Sequence, residues 1–421
     1  MNRETVTERF LRYIAFDTQS DEASESVPST AKQLKLAKEL VKELNEIGAA
    51  DVSLSETGYV YAKAPATDGT AGRSKLGFIS HMDTSPSAPG RGVKPRMIRN
   101  YDGSDLNLGN GIMTRVRNFP ELKKYVGQNL IVTDGSTLLG ADDKAGVSEI
   151  MTMAAYLLAH PEIRHGGISI AFTPDEEIGR GSDHFDLDIF YAEKAYTVDG
   201  GTLGELEYEN FNAASGKVKI QGVNVHPGSA KDKMVNACLL AMEFNSLLPD
   251  CRPDNTEGYE GFFHICGIEG DETNAEMTYI IRDHDKEKFE EKKRQFEEAG
   301  RKLNEKYASM GANVTTAVKD SYYNMKEKIL PHMDLIHNAE DAFRRCGVEP
   351  HVVPVRGGTD GASLSYKGLP CPNLSTGGEL FHGVNEFVSI NAMEKMVDVL
   401  VELARKTADQ NQEQINEQHA G

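Results

Sequence analysis

Residues 168–179 read ISIAFTPDEEIG, a mainly apolar run that ends in a proline and an acidic stretch. An apolar run of this length without alternation predicts a strand that is buried on both faces. A helical pattern at residues 144–158 precedes it, and a second apolar run at 194–198 follows it. Because strands alternate with helices, the sequence predicts an α/β fold with a mostly parallel sheet and helices on both faces.

The pattern changes between residues 212 and 323, where the predicted elements follow the order strand, helix, strand, strand, helix, strand. The first of these strands is predicted at 217–221 and the last at 313–318. This order is that of the ferredoxin-like split βαβ unit, which can be inserted into a host domain. We therefore predict a catalytic domain built from residues 1–211 and 324–421. An α+β lid or dimerisation domain at 212–323 interrupts it.

The composition argues against several classes of function. The chain has 421 residues with a formal net charge of −19, and a negative field repels phosphate backbones, so we expect no nucleic-acid partner. No apolar run approaches the ~20 residues of a bilayer span, and no apolar signal segment follows Met1, so we expect no membrane association. The five cysteines form no Cys-x-x-Cys pair, which indicates a reducing cytoplasm as the location.

Acidic residues and histidines follow the ends of several predicted strands or open the helix at 144–158. In open α/β sheets, sites form outside the carboxyl ends of the strands, so these side chains are predicted to converge on one crevice. Each motif alone is weak evidence, since an acidic pair before a helix is usually a cap and a single histidine is usually an ordinary polar residue. The residues singled out are His81, Asp83, Asp143, Glu176, Glu177, Asp199 and His382.

The electrostatics of this group point to metal ions. Gathering Asp143, Glu177 and Asp199 within a few Å would raise at least one carboxyl pKa strongly unless cations were present. Two divalent cations would balance three carboxylates and a bridging hydroxide. Imidazole and carboxylate ligands without thiolate predict two Zn²⁺ ions per subunit, with Co²⁺ or Mn²⁺ as admissible substitutes.

Two acidic residues are predicted to act beside the metal. Neighbours in an extended chain point apart, so Glu176 and Glu177 cannot easily serve the same ion, and Glu176 is predicted to be the general base. His81 and Asp83 point to the same side of an extended segment. Asp83 can therefore accept the second ring N–H of His81 and fix its tautomer.

With these residues assembled, the chain resembles the co-catalytic zinc exopeptidases of the aminoacylase and carboxypeptidase-G type. Within that family it is similar to the aminopeptidases that release the N-terminal residue of tripeptides. The likeness runs from about residue 4 to residue 407. The stretches that carry it are 81–85, 137–146, 172–179, 196–201, 211–215, 225–228, 280–283 and 356–361.

The resemblance implies a role for each residue. His81 and Asp199 would hold one zinc, Glu177 and His382 the other, and Asp143 would bridge them, with Asp83 behind His81 and Glu176 as the base. From the insert, His226 would stabilise the oxyanion and Arg282 would bind the carboxylate terminus of the substrate. The implied substrate is a short peptide, a tripeptide with a free N-terminus. Some relatives imply a homodimer formed through the insert, and others are monomers.

Two alternatives stay open at this point. The metal ligands do not separate an aminopeptidase from an N-acyl-amino-acid deacylase or a dipeptidase on the same scaffold. A metal-binding or dimeric interaction protein without activity is the second alternative. Glu176 and His226 argue against it, because metal storage needs neither a base nor an oxyanion donor.

Overall fold

The computed structural model describes residues 4–67 and 74–420, with side chains up to residue 408. The chain divides into two compact units. The first contains the chain up to Tyr208 together with Glu327–Val353 and the residues from Thr359 onward. The second contains Glu209–Lys326 and the loop Pro354–Gly358, which the sequence pattern assigned to the larger domain.

The strands, in chain order, are β1 (Ala50–Leu54), β2 (Val60–Ala64), β3 (Leu76–His81), β4 (Arg96–Ile98), β5 (Leu106–Gly109), β6 (Ile112–Thr114), β7 (Leu130–Val132), β8 (Ile168–Thr173), β9 (Ala195–Gly200), β10 (Glu205–Glu207), β11 (Asn212–Gln221), β12 (Phe262–Gly270), β13 (Asn274–Asp283), β14 (Asn313–Tyr322), β15 (His351–Val352), β16 (Asn373–Ser375), β17 (Gly378–Glu379) and β18 (Phe387–Ser389). The α-helices are α1 (Val6–Tyr13), α2 (Gln33–Glu46), α3 (Ala141–Ala159), α4 (Leu187–Phe190), α5 (Ala237–Leu247), α6 (Lys286–Tyr307), α7 (Lys326–Ile329), α8 (Met333–Arg345), α9 (Asp360–Tyr366) and α10 (Ile390–Ala420).

The central sheet of the first unit has the order β1-β2-β8-β3-β9-β16-β10-β15. Its middle is parallel, since β3 pairs in parallel with both β8 and β9, and β9 pairs in parallel with β16. Strands β3 and β8 are buried along their whole length, as expected for mainly apolar strands in the middle of a parallel sheet. The predicted mostly parallel α/β architecture is confirmed.

Helices cover both faces of this sheet. On one face, Ile79 and Ala171 pack with Phe190 of α4 and Leu364 of α9. On the other face, α3 approaches so closely that an added Cβ at Gly146 would overlap the carbonyl oxygen of Val198. This glycine lets α3 lie directly against β9, close to the first turn of α3, which carries Asp142 and Asp143.

The first unit also contains a four-stranded sheet of order β17-β18-β7-β4 and the pair β5-β6. These strands are two to four residues long, which is too short for a periodic pattern to reveal them. In the chain, β7 precedes α3, and the segment between β17 and β18 contains His382.

The second unit is a four-stranded antiparallel sheet of order β12-β13-β11-β14, against which α5 and α6 pack. Phe244 of α5 and Phe289 and Phe296 of α6 form its core with residues of β11 and β13. The element order is the predicted split βαβ order. Strand β11 begins at Asn212 rather than at residue 217, and β14 continues to Tyr322, because strand pairing extends into segments whose residues have weak strand propensity.

None of the helices within residues 4–67 and 74–420 combines the length and the apolarity that a bilayer span requires.

Candidate metal centre

The order of the central sheet brings the predicted residues together. Strands β8, β3 and β9 are neighbours that run in the same direction, so their carboxyl ends lie side by side. His81 is the last residue of β3 and pairs in register with Thr173, the last residue of β8. Asp199 lies near the end of β9, and its Oδ1 is 3.3 Å from Nε2 of His81.

A second histidine enters from the segment after β17. Nε2 of His382 lies 2.9 Å from Oε2 of Glu177. His382 remains half-exposed, whereas the Glu177 side chain is 4% exposed. The other oxygen of Glu177, Oε1, is buried without a hydrogen-bond partner, which leaves it available to a ligand.

Asp142 lies between the two histidines. Its Oδ1 is 2.8 Å from Nε2 of His81, and its Oδ2 is 3.1 Å from Nε2 of His382. The backbone at Asp142 is extended rather than helical, although the residue falls within the first turn of α3. A single carboxylate therefore contacts both imidazoles, which is the arrangement expected of a bridging group.

The sequence reasoning assigned the bridge to Asp143, and the structure places that residue differently. Oδ2 of Asp143 accepts a hydrogen bond from the backbone N–H of His81 at 3.3 Å, and Oδ1 accepts one from Gly146 at 3.2 Å. Asp143 can still contribute to a metal-binding group with His81 and Asp199. Asp142, however, is the aspartate that reaches His382, and the sequence reasoning missed it.

Two groups of side chains could hold a metal ion among the described residues. His81, Asp143 and Asp199 form one, and His81, Asp142 and Glu177 form the other, with all ligand atoms of a group within 4.8 Å of one another. Imidazole nitrogens and carboxylate oxygens without a thiolate suit zinc and similar divalent metals. The unpartnered Oε1 of Glu177 supports the same fit.

Burial and neighbouring charges shift the pKa values of three side chains at this centre. Burial raises the pKa of Asp199 to about 6. Burial, together with the neighbouring Asp142 carboxylate, raises the pKa of Glu177 to about 7. Hydrogen bonds to Asp142 and Glu177 raise the pKa of His382 to about 11. A bound cation would offset the burial that opposes ionisation of these carboxyl groups and would take the place of the proton on His382.

The turn that carries Glu176 and Glu177 is held by Asp83. Residues Glu176–Ile178 form a 3₁₀ turn rather than the extended segment that the sequence predicted. Oδ1 of Asp83 accepts a hydrogen bond from the N–H of Glu176 at 3.0 Å, and Oδ2 accepts one from Glu177 at 3.2 Å. Oδ1 of Asp83 also lies 3.3 Å from Nδ1 of His81. Asp83 thus contacts both the histidine and the turn.

Asp175 anchors the same turn from the other side and was also missed. Its carboxylate accepts hydrogen bonds from the N–H of Ser29 at 2.7 Å and from Nε2 of Gln33 at 2.6 Å. No local sequence signal connects residues 29–33 with residue 175, because the contact exists only in the folded chain. The Glu176 side chain beyond this anchor is partly buried, and this burial, followed by the charge of Asp199, raises its pKa.

His226 and Arg282 belong to the second unit. His226 caps the 3₁₀ helix Pro227–Ser229, and its Nδ1 accepts a hydrogen bond from the N–H of Gly228 at 3.1 Å. Arg282 lies on β13, and its Nη1 donates to the carbonyl oxygen of Arg356 at 3.2 Å. Nε of Arg282 is buried without a hydrogen-bond partner. Their roles toward a substrate stay predictions.

Comparison with known proteins agrees with this centre. The model of Peptidase family M20/M25/M40 matches residues 137–406. Peptidase T of Clostridium perfringens strain 13 is 55% identical over 405 residues, which cover 96% of this chain and 99% of that protein. Peptidase T of Clostridium acetobutylicum is 55% identical over 410 residues, which cover 96% of this chain and 100% of that protein.

A solved structure extends the comparison to the fold. The crystal structure of aminopeptidase PepT from Bacillus cereus matches with a TM-score of 0.75 at 25% sequence identity. The match covers 97% of this chain and 99% of that chain. The family resemblance and the enzyme class expected from the sequence are confirmed. This chain belongs to peptidase family M20/M25/M40 and is a hydrolase of peptide bonds.

Proposed function

We propose that this protein is an aminopeptidase that removes the N-terminal residue of tripeptides with the help of two divalent metal ions, zinc in the first place. The contact of one carboxylate, Asp142, with both His81 and His382 is the observation that carries the proposal. His81 and Asp199 would hold one ion, and His382 and Glu177 the other. Asp142 would serve both. The names of the relatives, Peptidase T and aminopeptidase, support cleavage at the N-terminus of a peptide.

The proposed roles of the protein side chains follow from their surroundings. Bound metal ions of this kind polarise a carbonyl group and lower the pKa of water. Glu176 takes the proton of the attacking water and returns it to the leaving amine. Asp83 accepts a hydrogen bond from the backbone N–H of Glu176, which keeps the carboxylate in place for that proton transfer.

His226 and Arg282 complete the proposal from the second unit. The ring of His226 would donate a hydrogen bond to the oxyanion that forms at the scissile carbonyl. Arg282 would pair with the C-terminal carboxylate of the peptide. The enzyme would then select its substrates by the length of the peptide. A homodimer, a cytoplasmic location and the lack of a nucleic-acid partner stay predictions from the sequence.

A substrate panel tests the proposed function. We expect the zinc-loaded protein to release the first residue of a tripeptide, and to act poorly on a dipeptide and on an N-acetylated tripeptide. Amidation of the tripeptide C-terminus should lower kcat/KM by roughly 10–100-fold, because a hydrogen-bonded charge pair is lost. Treatment with a chelator should abolish turnover, and added Zn²⁺ should restore it.

Each alternative has its own signature in this panel, measured by chromatography of the released amino acid. Faster cleavage of N-acetyl-amino acids than of tripeptides would identify a deacylase, and faster cleavage of dipeptides a dipeptidase. Two bound zinc ions without cleavage of any peptide would favour a metal-binding protein. An unchanged kcat/KM for the amidated tripeptide would remove Arg282 from the proposal.

A further inference from the structure

A buried carboxylate far away in the sequence, Glu386, holds the loop that carries Asp142. Oε2 of Glu386 accepts hydrogen bonds from the N–H groups of Leu139 at 2.7 Å and Gly140 at 2.9 Å. Oε1 accepts one from the N–H of Asp142 at 3.1 Å. The residue is 1% exposed. Both oxygens of one side chain are thus used to fix the backbone that leads into α3.

The segment that contains Glu386 also carries His382. The N–H of Glu386 donates to the carbonyl oxygen of Gly383 at 3.3 Å, which closes a short turn after His382. Oγ1 of Thr114 donates to the side chain of Asn385 at 2.8 Å and ties this turn to β6. Glu386 therefore connects the turn that follows His382 to the backbone of Asp142, whose carboxylate contacts His382.

The geometry makes Asp142 dependent on Glu386. The carboxylate of Asp142 contacts His81 through Oδ1 and His382 through Oδ2, so a displacement of its backbone would disturb both contacts. If the Glu386 carboxylate were absent, the buried N–H groups of Leu139 and Gly140 and the partly buried N–H of Asp142 would lose this acceptor. We expect this segment to leave its present conformation, because a buried N–H without an acceptor costs free energy.

We propose that Glu386 is a positioning residue that sets Asp142 between the two metal positions and thereby controls the binding of both ions together. The inference rests on the proposed function, since it takes Asp142 as the shared ligand. The carboxylate of Glu386 accepts its hydrogen bonds from backbone N–H groups rather than from either histidine. Its effect differs from that of Glu177, whose contact with His382 concerns one metal position only.

The replacement Glu386→Gln separates this role from a general contribution to folding. Glutamine keeps one acceptor oxygen but turns the other position into an NH₂ donor. The N–H of Asp142, or the pair from Leu139 and Gly140, would then face a donor. We expect the affinity for both zinc ions to fall by roughly 10–100-fold, the usual effect of removing a partner that orients a ligand.

A matched control is Glu43→Gln. Glu43 is also buried and accepts hydrogen bonds from Arg9 at 2.7 Å and from Arg12 and Tyr13 at 2.5 Å, none of which belongs to the candidate metal centre. This variant also loses a buried carboxylate, but one whose partners are side chains outside the metal centre. We expect its melting temperature to fall while its zinc affinities stay within about twofold of those of the unmodified protein.

The measurement is a titration of chelator-stripped protein with Zn²⁺ in competition with a chromophoric chelator. The proposal is supported if Glu386→Gln lowers the affinity for both zinc ions and Glu43→Gln lowers the affinity for neither. The proposal is overturned if Glu386→Gln binds both zinc ions as tightly as the unmodified protein does, or if its affinity falls for one ion only. If Glu386→Gln does not fold, Glu386→Asp, which withdraws both oxygens by one methylene, replaces it, and the same two outcomes decide.

The unmodified protein in this titration separates the inference from the proposed function. Two bound zinc ions without any cleavage of tripeptides would contradict the proposed activity alone, and the comparison of variants would still decide the role of Glu386. Failure of the unmodified protein to bind zinc would overturn both.

Discussion

Replacement of Glu176 by glutamine is expected to lower kcat on a tripeptide by roughly 10³–10⁴-fold while both metal ions stay bound. The expected loss lies at the upper end of what a general acid–base residue contributes. Glutamine has nearly the same shape as glutamate but cannot accept the proton of the attacking water. The ions should stay because the close contacts to His81 and His382 come from Asp142, Asp199 and Glu177 rather than from Glu176.

The adjacent variant Glu177→Gln is the matched control for this experiment. Oε2 of Glu177 contacts His382, so its replacement should remove one ion as well as activity. The two variants are compared by steady-state kinetics and by the zinc content of the purified proteins. A Glu176→Gln enzyme with kcat within a few-fold of the unmodified one would assign the base to another residue. Loss of zinc in this variant would contradict the assignment of the metal ligands.

The second large effect is expected from Asp142. Asp142→Asn should lower the affinity for both ions by more than roughly 100-fold, which exceeds the usual effect of a residue that only orients a ligand. An asparagine has one oxygen and no charge, and it cannot present a negative oxygen to each of two cations. Activity should fall with the loss of metal and should return only in part at high zinc concentration.

Asp143→Asn provides the comparison for Asp142. Asp143 accepts hydrogen bonds from the backbone of His81 and Gly146, so this variant should lower the melting temperature and weaken zinc binding less than Asp142→Asn does. Zinc affinity and thermal unfolding are measured on both proteins. If Asp143→Asn loses both ions and Asp142→Asn retains them, Asp143 rather than Asp142 is the bridging ligand.

The part of the fold that the sequence predicts is the part with strong local patterns. The run Ile168–Thr173 has the mainly apolar character of a strand covered on both faces, and it lies inside the sheet. His81 and Asp199 come together because residues at the carboxyl ends of adjacent parallel strands share one edge. These inferences need only periodicity and one topological rule.

The details that the sequence does not predict depend on contacts between distant segments or on irregular backbone. A pattern of helical residues does not tell which of Asp142 and Asp143 faces the histidines, because the backbone at both is non-helical. Asp175 and Glu386 act through hydrogen bonds to segments far away in the chain, at Ser29 and Leu139. The 3₁₀ turn at Glu176 replaces the extended segment because Asp83 accepts two successive N–H groups there.

The most direct test of the account is anomalous diffraction from crystals of the zinc-loaded protein, recorded at the zinc absorption edge. We predict two anomalous peaks, one beside His81 and Asp199 and one beside His382 and Glu177, with the carboxylate of Asp142 between them. A single peak, or two peaks joined by Asp143 while Asp142 points away, would contradict the proposal that Asp142 unites the two metal positions.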